Sequence, residues 1–401
     1  MAPSLRSDSV RKAGAALLIL PLAAFLLAVF FVPIGGMLGL SVRDTELASV
    51  MPLTTDRIGT WDGRGLPDAP VFEALARDLH AARQTRTAGV PARRLSYDRP
   101  EFRAVISNTA RALSGAFPED RDWTTDLPAL DPAWGQPAIW TAIHRARGPA
   151  SDFFLLVALD LRRDAAGEIA RAPAESRLYV DVLLRTLSIA FTVTVIALLL
   201  ALPCAYLLQT AGLTLSSLLM IVLLLPLWTS LLVRSAAWMV ILQKNGLVNS
   251  ALLKTGLIAE PLELVFNRTG VLIALTHILL PYAVLPVLAA MRNVPRNQTL
   301  AASSLGAGAL RSFFSVYLPQ IVPGISAGGL LVFILALGYY ITPLLLGGAG
   351  DQLLPYYIAF NTTQTVNWGL AASLGAILLA ATFLLYGVYV RLVGVDRIGL
   401  G

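Results

Sequence analysis

The chain has 401 residues, of which 56% are apolar and 14% charged; its mean hydropathy is +0.67. Soluble domains carry about 25% charged residues, so the chain is too poor in charge for an ordinary soluble fold. The net charge of +6 comes without a Lys/Arg stripe interleaved with aromatics, which excludes the usual nucleic-acid surface, and one cysteine with three scattered histidines excludes an intrachain disulfide and a Cys- or His-rich metal motif.

In chain order, the first uncharged window lies between Lys12 and Arg43 and is densest over residues 17–32. It is too long for a secretory leader and no small-residue cleavage site follows, so it reads as a first membrane span that stays in place. Residues 43–177 then hold 18 Lys+Arg and 19 Asp+Glu, leaving 13 basic and 6 acidic residues for the rest of the chain. This insert is large enough for a small independent domain. Residues 69–84 and 100–115 read as helices, and 153–161 is a short apolar run, strand or buried helix turn. The window between Arg185 and Arg234 is uncharged but too long for one helix. Gly212 and the hydroxyl residues around it punctuate it, giving span two at 180–208 and span three at 217–242. Spans four, five and six follow at 270–291, 323–346 and 370–393.

The positive-inside rule orients these spans. With the N-terminus in the cytoplasm, the inner segments hold Arg6, Arg11, Lys12, Arg292, Arg296, Arg311, Arg391 and Arg397. The outer loops hold Lys244, Lys254 and Arg268, offset by Glu260, Glu263 and Asp351. Both termini are then cytoplasmic, and the insert lies outside. The expectation is an all-α membrane protein with three parts. These are an N-terminus and first span (1–42), a periplasmic insert (43–177), and a five-helix core (178–401) with a cytoplasmic loop at 292–319.

That loop carries the most information. It reads as a short helix over the small residues Ala301, Ala302, Ser303 and Ser304, a turn at Gly306, and a second amphipathic helix with Phe313, Phe314 and Tyr317 that stops at Pro319. Small residues on one face let another backbone approach closely, so the shape suits a cleft in a second protein.

The same segment resembles the cytoplasmic loop of ABC importer permeases, which has the form Glu-Ala-Ala, three residues, Gly, nine residues, Ile-x-Leu-Pro. Ala301, Ala302, Gly306, Leu318 and Pro319 match, and Val316 stands for the Ile. Leu300 stands where the family has Glu, which implies docking by shape and apolar contact without that carboxylate. The runs Leu227-Trp228-Thr229-Ser230, Asn245-Gly246-Leu247-Val248-Asn249, Leu280-Pro281-Tyr282-Ala283 and Gly338-Tyr339-Tyr340-Ile341-Thr342-Pro343 resemble the spermidine/putrescine branch. The resemblance covers about 180–395 and the first span but not the insert.

It implies a type I permease fold of six spans in a bacterial inner membrane. Its partners would be a second, different permease chain, two ATPase subunits that bind ATP and Mg, a periplasmic solute-binding protein and membrane lipid, with no nucleic acid. The chain itself would hold no cofactor, catalytic residue or metal, and it has no Gly-rich phosphate loop followed by Lys-Ser/Thr. Gly306 would transmit ATPase closure to the spans, switching the path between inward- and outward-facing states.

Single residues refine this picture. Arg234, an ionisable residue within a span, is a pathway candidate. An Arg facing the path would repel a polycation, which keeps open an anionic or zwitterionic solute such as an amino acid derivative or phosphonate. Tyr339, Tyr340 and Thr342 precede Pro343, where a kink would place them on the path. His277 reads as a hydrogen-bonded interior residue, Cys204 as packing, and Trp238 and Trp368 as interfacial anchors. An ion-coupled secondary transporter would show paired carboxylates within helices, and a membrane-anchored enzyme would need an active site in the insert; His80 and His144 have no motif around them.

Overall fold

The computed structural model describes residues 17–115, 117–118, 120–164 and 167–393. Arg6, Arg11, Lys12 and Arg397, expected at the cytoplasmic termini, lie outside those residues. The chain falls into two compact units, Met1–Val157 with Trp368–Ser373, and Ala158–Asn367 with Leu374–Gly401.

In the first unit, helix α1 (Leu17–Leu40) has a π-helical stretch at Leu27–Phe31 and buries none of its most apolar stretch within the chain. A helix apolar on every face is a membrane helix. The insert is built on α2 (Ala69–Gln84), α3 (Gly89–Ser96), α4 (Phe102–Ala112) and α5 (Pro137–Arg145). Phe72, Leu75, Leu79 and Ala82 recur at helical spacing along α2 and are buried with Ile106, Trp134, Trp140 and Ile143. Both buried indoles are satisfied: Trp134 Nε1 donates to Thr109 Oγ1 at 2.9 Å, and Trp140 Nε1 to the Trp134 carbonyl at 2.9 Å. Chain entry and exit are stitched together, since the Ser151 amide donates to the Val42 carbonyl at 2.8 Å and the Asp44 amide to the Pro149 carbonyl at 3.0 Å.

The second unit begins with an antiparallel hairpin, β1 (Leu161–Arg163) and β2 (Ile169–Arg171), in register Leu161 with Arg171. It corrects the all-α expectation. The run at 153–161 divides between a helix, Phe153–Ala158, and the start of β1. Asp160 accepts from the amides of Leu178, Tyr179 and Val180 at 2.9–3.0 Å, so the residue just before the hairpin caps the next helix. That helix, α6 (Tyr179–Thr210), packs with α9 (Arg268–Arg292) and α11 (Leu318–Leu337), defined together with α7 (Leu213–Leu224), α8 (Leu231–Leu242) and α10 (Arg296–Ser304). Ala197, Ala201 and Ala205 of α6 are buried at four-residue spacing. Gly324 and Gly328 of α11 lie against the α9 backbone: a Cβ at Gly324 would sit 2.6 Å from the Pro286 carbonyl oxygen, and one at Gly328 2.9 Å from that of Ala283. Membrane helices approach closely through such small-residue pairs.

Among the described residues, five helices are long and apolar enough to cross a membrane, or six if one bent pair is counted as a single span. The bent pair replaces the single helix expected as the third span at 217–242. Leu213–Trp228 and Leu231–Lys254 meet at 109°. Pro226 lies in a 3-10 turn, Leu225–Trp228, and Ser230 restarts the helix by accepting the Val233 amide on its Oγ at 3.3 Å. The fifth span is also corrected. Its helix runs from Ala309 to Leu337 and stops at Gly338, while α12 (Ile341–Leu346) is a separate short helix. Pro343 lies in the first turn of α12, where no amide partner is needed, so the break falls at Gly338-Tyr339-Tyr340 rather than at the proline. The last span, α13 (Trp368–Val393), is continuous.

Candidate functional site

Two regions of the second unit concentrate the residues singled out by sequence. The first is the stretch between α9 and α11. Ala301 and Ala302 lie on α10, and the helix ends at Leu305. Gly306 follows with φ +86°, a left-handed conformation that glycine adopts freely, and nothing lies within 4 Å of where its Cβ would be. The chain re-enters helix at Ala309–Ser312, passes through a π-helical stretch at Phe313–Tyr317, and reaches Leu318 and Pro319 in the first turn of α11.

This helix–turn–helix presents apolar side chains outward. Leu300 is 67% exposed, Leu305 89% and Leu310 76%, with Phe313 and Phe314 also exposed. Residues 297–310 contain no ionisable side chain, and Arg292, Arg296 and Arg311 are the only charges between Met291 and Gly350. Its base is fixed by Gln209, whose Nε2 donates to the Met291 carbonyl at 3.1 Å and whose Oε1 accepts from the Tyr317 hydroxyl at 3.2 Å. The sequence does not single out Gln209; the usable signal is an uncharged polar residue at the end of an apolar span.

The second region surrounds the break between α11 and α12. Ser235 of α8 and Thr342 of α12 share a buried hydrogen bond of 2.9 Å. Arg234 is half-buried one turn into α8, and its Nε and Nη1 are enclosed with no hydrogen-bond partner among the described residues. Its charge acts on both His277 and Tyr339. Trp238 Nε1 donates to His277 Nδ1 at 3.2 Å, and the rings meet edge to face at 5.1 Å. Trp238 therefore holds the histidine in place, a role different from the interfacial anchoring expected of it. Arg234, Tyr339 and Thr342 thus share one neighbourhood. Tyr340 is exposed at the N-cap of α12. Cys204 is half-buried on α6. Among the described residues, no three His, Cys, Asp or Glu side chains converge as a metal site.

A family model described as binding-protein-dependent transport system inner membrane component matches residues 174–394. The chain is 35% identical over 216 residues to the spermidine/putrescine transport system permease protein PotB of Haemophilus influenzae, covering 53% of this chain and 75% of that protein. Against PotB of Escherichia coli it is 33% identical over 214 residues, covering 53% and 78%. Among solved structures, a bacterial alginate ABC transporter in complex with an alginate pentasaccharide-bound periplasmic protein is similar, with a TM-score of 0.44 and 16% identity over 56% of this chain and 80% of that one.

Proposed function

The chain belongs to the family of binding-protein-dependent transport system inner membrane components, and from that premise we propose that it forms half of the translocation path of an ATP-driven polyamine importer. It is a multi-pass inner-membrane permease subunit of an ABC importer. Polyamine as the solute is supported by the spermidine/putrescine permeases to which residues of the core are 33–35% identical.

In this reading the bent pair counts as one of six spans, the insert is periplasmic and both termini are cytoplasmic. A second, different permease completes the path, a periplasmic binding protein delivers solute, and two ATPase subunits bind ATP and Mg and carry out hydrolysis outside this chain. Ala301, Ala302, Gly306, Leu318 and Pro319 belong to the lever that the ATPase moves. Arg234, Tyr339, Tyr340 and Thr342 border the path.

The observation that carries the reading is the protruding turn at Gly306, flanked by Leu300, Leu305 and Leu310 exposed to solvent in the isolated chain. Exposed leucines on an otherwise uncharged helix–turn–helix stand to gain by burial against a partner, at roughly 25 cal/mol per Å² of apolar surface. The test is reconstitution of this chain with its neighbouring permease, ATPase and binding protein in proteoliposomes. Labelled putrescine should enter only with internal ATP and external binding protein. Uptake that runs on an ion gradient without ATP would overturn the proposal, as would an ATPase that never co-purifies. One observation favours a second reading, an anionic or zwitterionic solute: the unpartnered guanidinium of Arg234.

A further inference from the structure

Among the described residues, Arg234 makes no ion pair. Four carboxylates lie between residues 178 and 393: Asp181, Glu260, Glu263 and Asp351. Glu263 pairs with Lys244 at 2.6 Å and Asp351 with Arg268 at 3.2 Å, while Asp181 and Glu260 are exposed. Enclosing two of a guanidinium's three nitrogens without a hydrogen-bond partner is costly, and an ionisable side chain inside a span is kept for a partner or a ligand.

The groups beside Arg234 are also donors. Because His277 Nδ1 accepts from Trp238, the neutral ring carries its proton on Nε2 and offers an N–H there. Tyr339 adds a hydroxyl within electrostatic reach of the same guanidinium. Ser235 and Thr342 satisfy each other and compete for neither. The cluster therefore supplies N–H and O–H groups and lacks an anionic acceptor.

We propose that Arg234, flanked by Tyr339 and the Trp238-oriented His277, receives an oxygen anion, carboxylate or phosphonate, supplied from outside this chain. Its two possible sources are an acidic side chain of the second permease subunit and an anionic group on the solute. Only the choice of sources rests on the importer reading. The unmet guanidinium does not depend on it.

The complete complex, purified through a tag on this chain, distinguishes the sources with Arg234→Gln and the charge-keeping Arg234→Lys. If the second permease supplies the anion, Arg234→Gln lowers recovery of that subunit by at least about 30-fold without any solute present, and Arg234→Lys retains most of it. If the solute supplies it, all variants assemble, and labelled 2-aminoethylphosphonate binds the wild-type complex with displacement by the unlabelled compound, while Arg234→Gln shows no such displaceable binding. Tyr339→Phe should weaken either effect by a smaller factor. Assembly and displacement that are the same in wild type, Arg234→Gln and Arg234→Lys would overturn the proposal. Both readouts are taken without ATP, so a complex that fails to import leaves this test standing.

Discussion

Residue-scale chemistry is most demanding in the insert, where charge is buried within the protein core. Arg94 is fully enclosed. Its Nε and Nη2 donate to the Asp44 carboxylate at 2.6–3.0 Å and its Nη1 to Asp98 at 2.8 Å, while its guanidinium lies 4.6 Å from the Phe153 ring centre and 5.3 Å from that of Phe154. One cation thus ties the start of the insert, α3 and the exit of the chain. Burial pushes the Asp98 carboxyl upward, against the attraction of Arg94 and, more weakly, of Arg145. Arg94→Met leaves two carboxylates without their cation. It should destabilise the insert by about 3–5 kcal/mol, read as a lower thermal transition of the purified chain and faster proteolysis within 43–177. Asp78 gives a test in pH. Its Oδ2 accepts from both the amide and the hydroxyl of Thr54 at 2.7 Å, yet burial outweighs those bonds and raises its carboxyl above the ordinary 3.8. The folded chain then holds this proton more tightly than the unfolded chain does. Its contribution is fully present below the ordinary value and is lost as pH climbs through the raised one. Asp78→Asn, which can still accept from Thr54, should flatten that dependence above the ordinary carboxylate value without loss of stability at neutral pH. Asp78→Ala leaves both Thr54 donors unmet and should cost about 1–3 kcal/mol at every pH. Thermal unfolding followed by tryptophan fluorescence, with Trp134 and Trp140 buried in the same core, separates the two variants.

Among the elements, the long apolar helices were legible in the sequence and the breaks within them were not. A 20-residue uncharged window records bilayer thickness directly, which is why expected and observed helices agree within two residues for α6, α9 and α13. The break before Ser230 and the stop at Gly338 depend on local hydrogen bonding: a serine that caps and a glycine where the helix ends. Such residues look the same in a sequence whether the helix continues or not, because membrane helices tolerate serine, glycine and proline. The proline at 343 drew attention five residues too late for the same reason. In the candidate sites, the residues around Gly306 were legible because a turn needs glycine at positive φ, and Arg234 because charge is rare within a span. Gln209 was hidden because its two partners lie about 80 and 110 residues away in sequence. Close approach of α11 to α9 was hidden too, since Gly324 and Gly328 read as ordinary membrane glycines. It can be tested directly. Gly324→Val places new carbon against Ala290 and the Pro286 carbonyl, and overpacking should cost about 1–3 kcal/mol. Gly375→Ala on α13 meets nothing within 4 Å and should be neutral. A detergent-solubilised thermal melt in which both variants behave alike would contradict the close approach.

At the scale of the whole molecule, the charge distribution predicts which side of the membrane each segment occupies. Insertion follows Lys and Arg near the ends of spans, and acidic residues contribute little. Arg292, Arg296 and Arg311 gather between α9 and α11 and Arg391 ends α13, while the opposite loops carry Lys244, Lys254 and Arg268. Two of these three are already paired, Lys244 with Glu263 and Arg268 with Asp351. Arg292 and Arg311 of the inner set are exposed, as residues facing anionic headgroups or a cytoplasmic partner would be. The insert, with 18 basic and 19 acidic residues, is nearly neutral, and long domains translocate largely regardless of charge. Orientation therefore rests on the short segments and predicts that Leu310 and the insert lie on opposite sides of the bilayer. The single native thiol makes this measurable, because Cys204→Ala gives a cysteine-free background. In it, Ala104→Cys on the exposed face of α4 and Leu310→Cys at the protruding turn each offer one accessible thiol. A membrane-impermeant maleimide added to intact spheroplasts should label Ala104→Cys at once and Leu310→Cys only after the membrane is opened. The reverse order would invert every span. Labelling of both before opening would remove the cytoplasmic lever on which coupling to ATP depends.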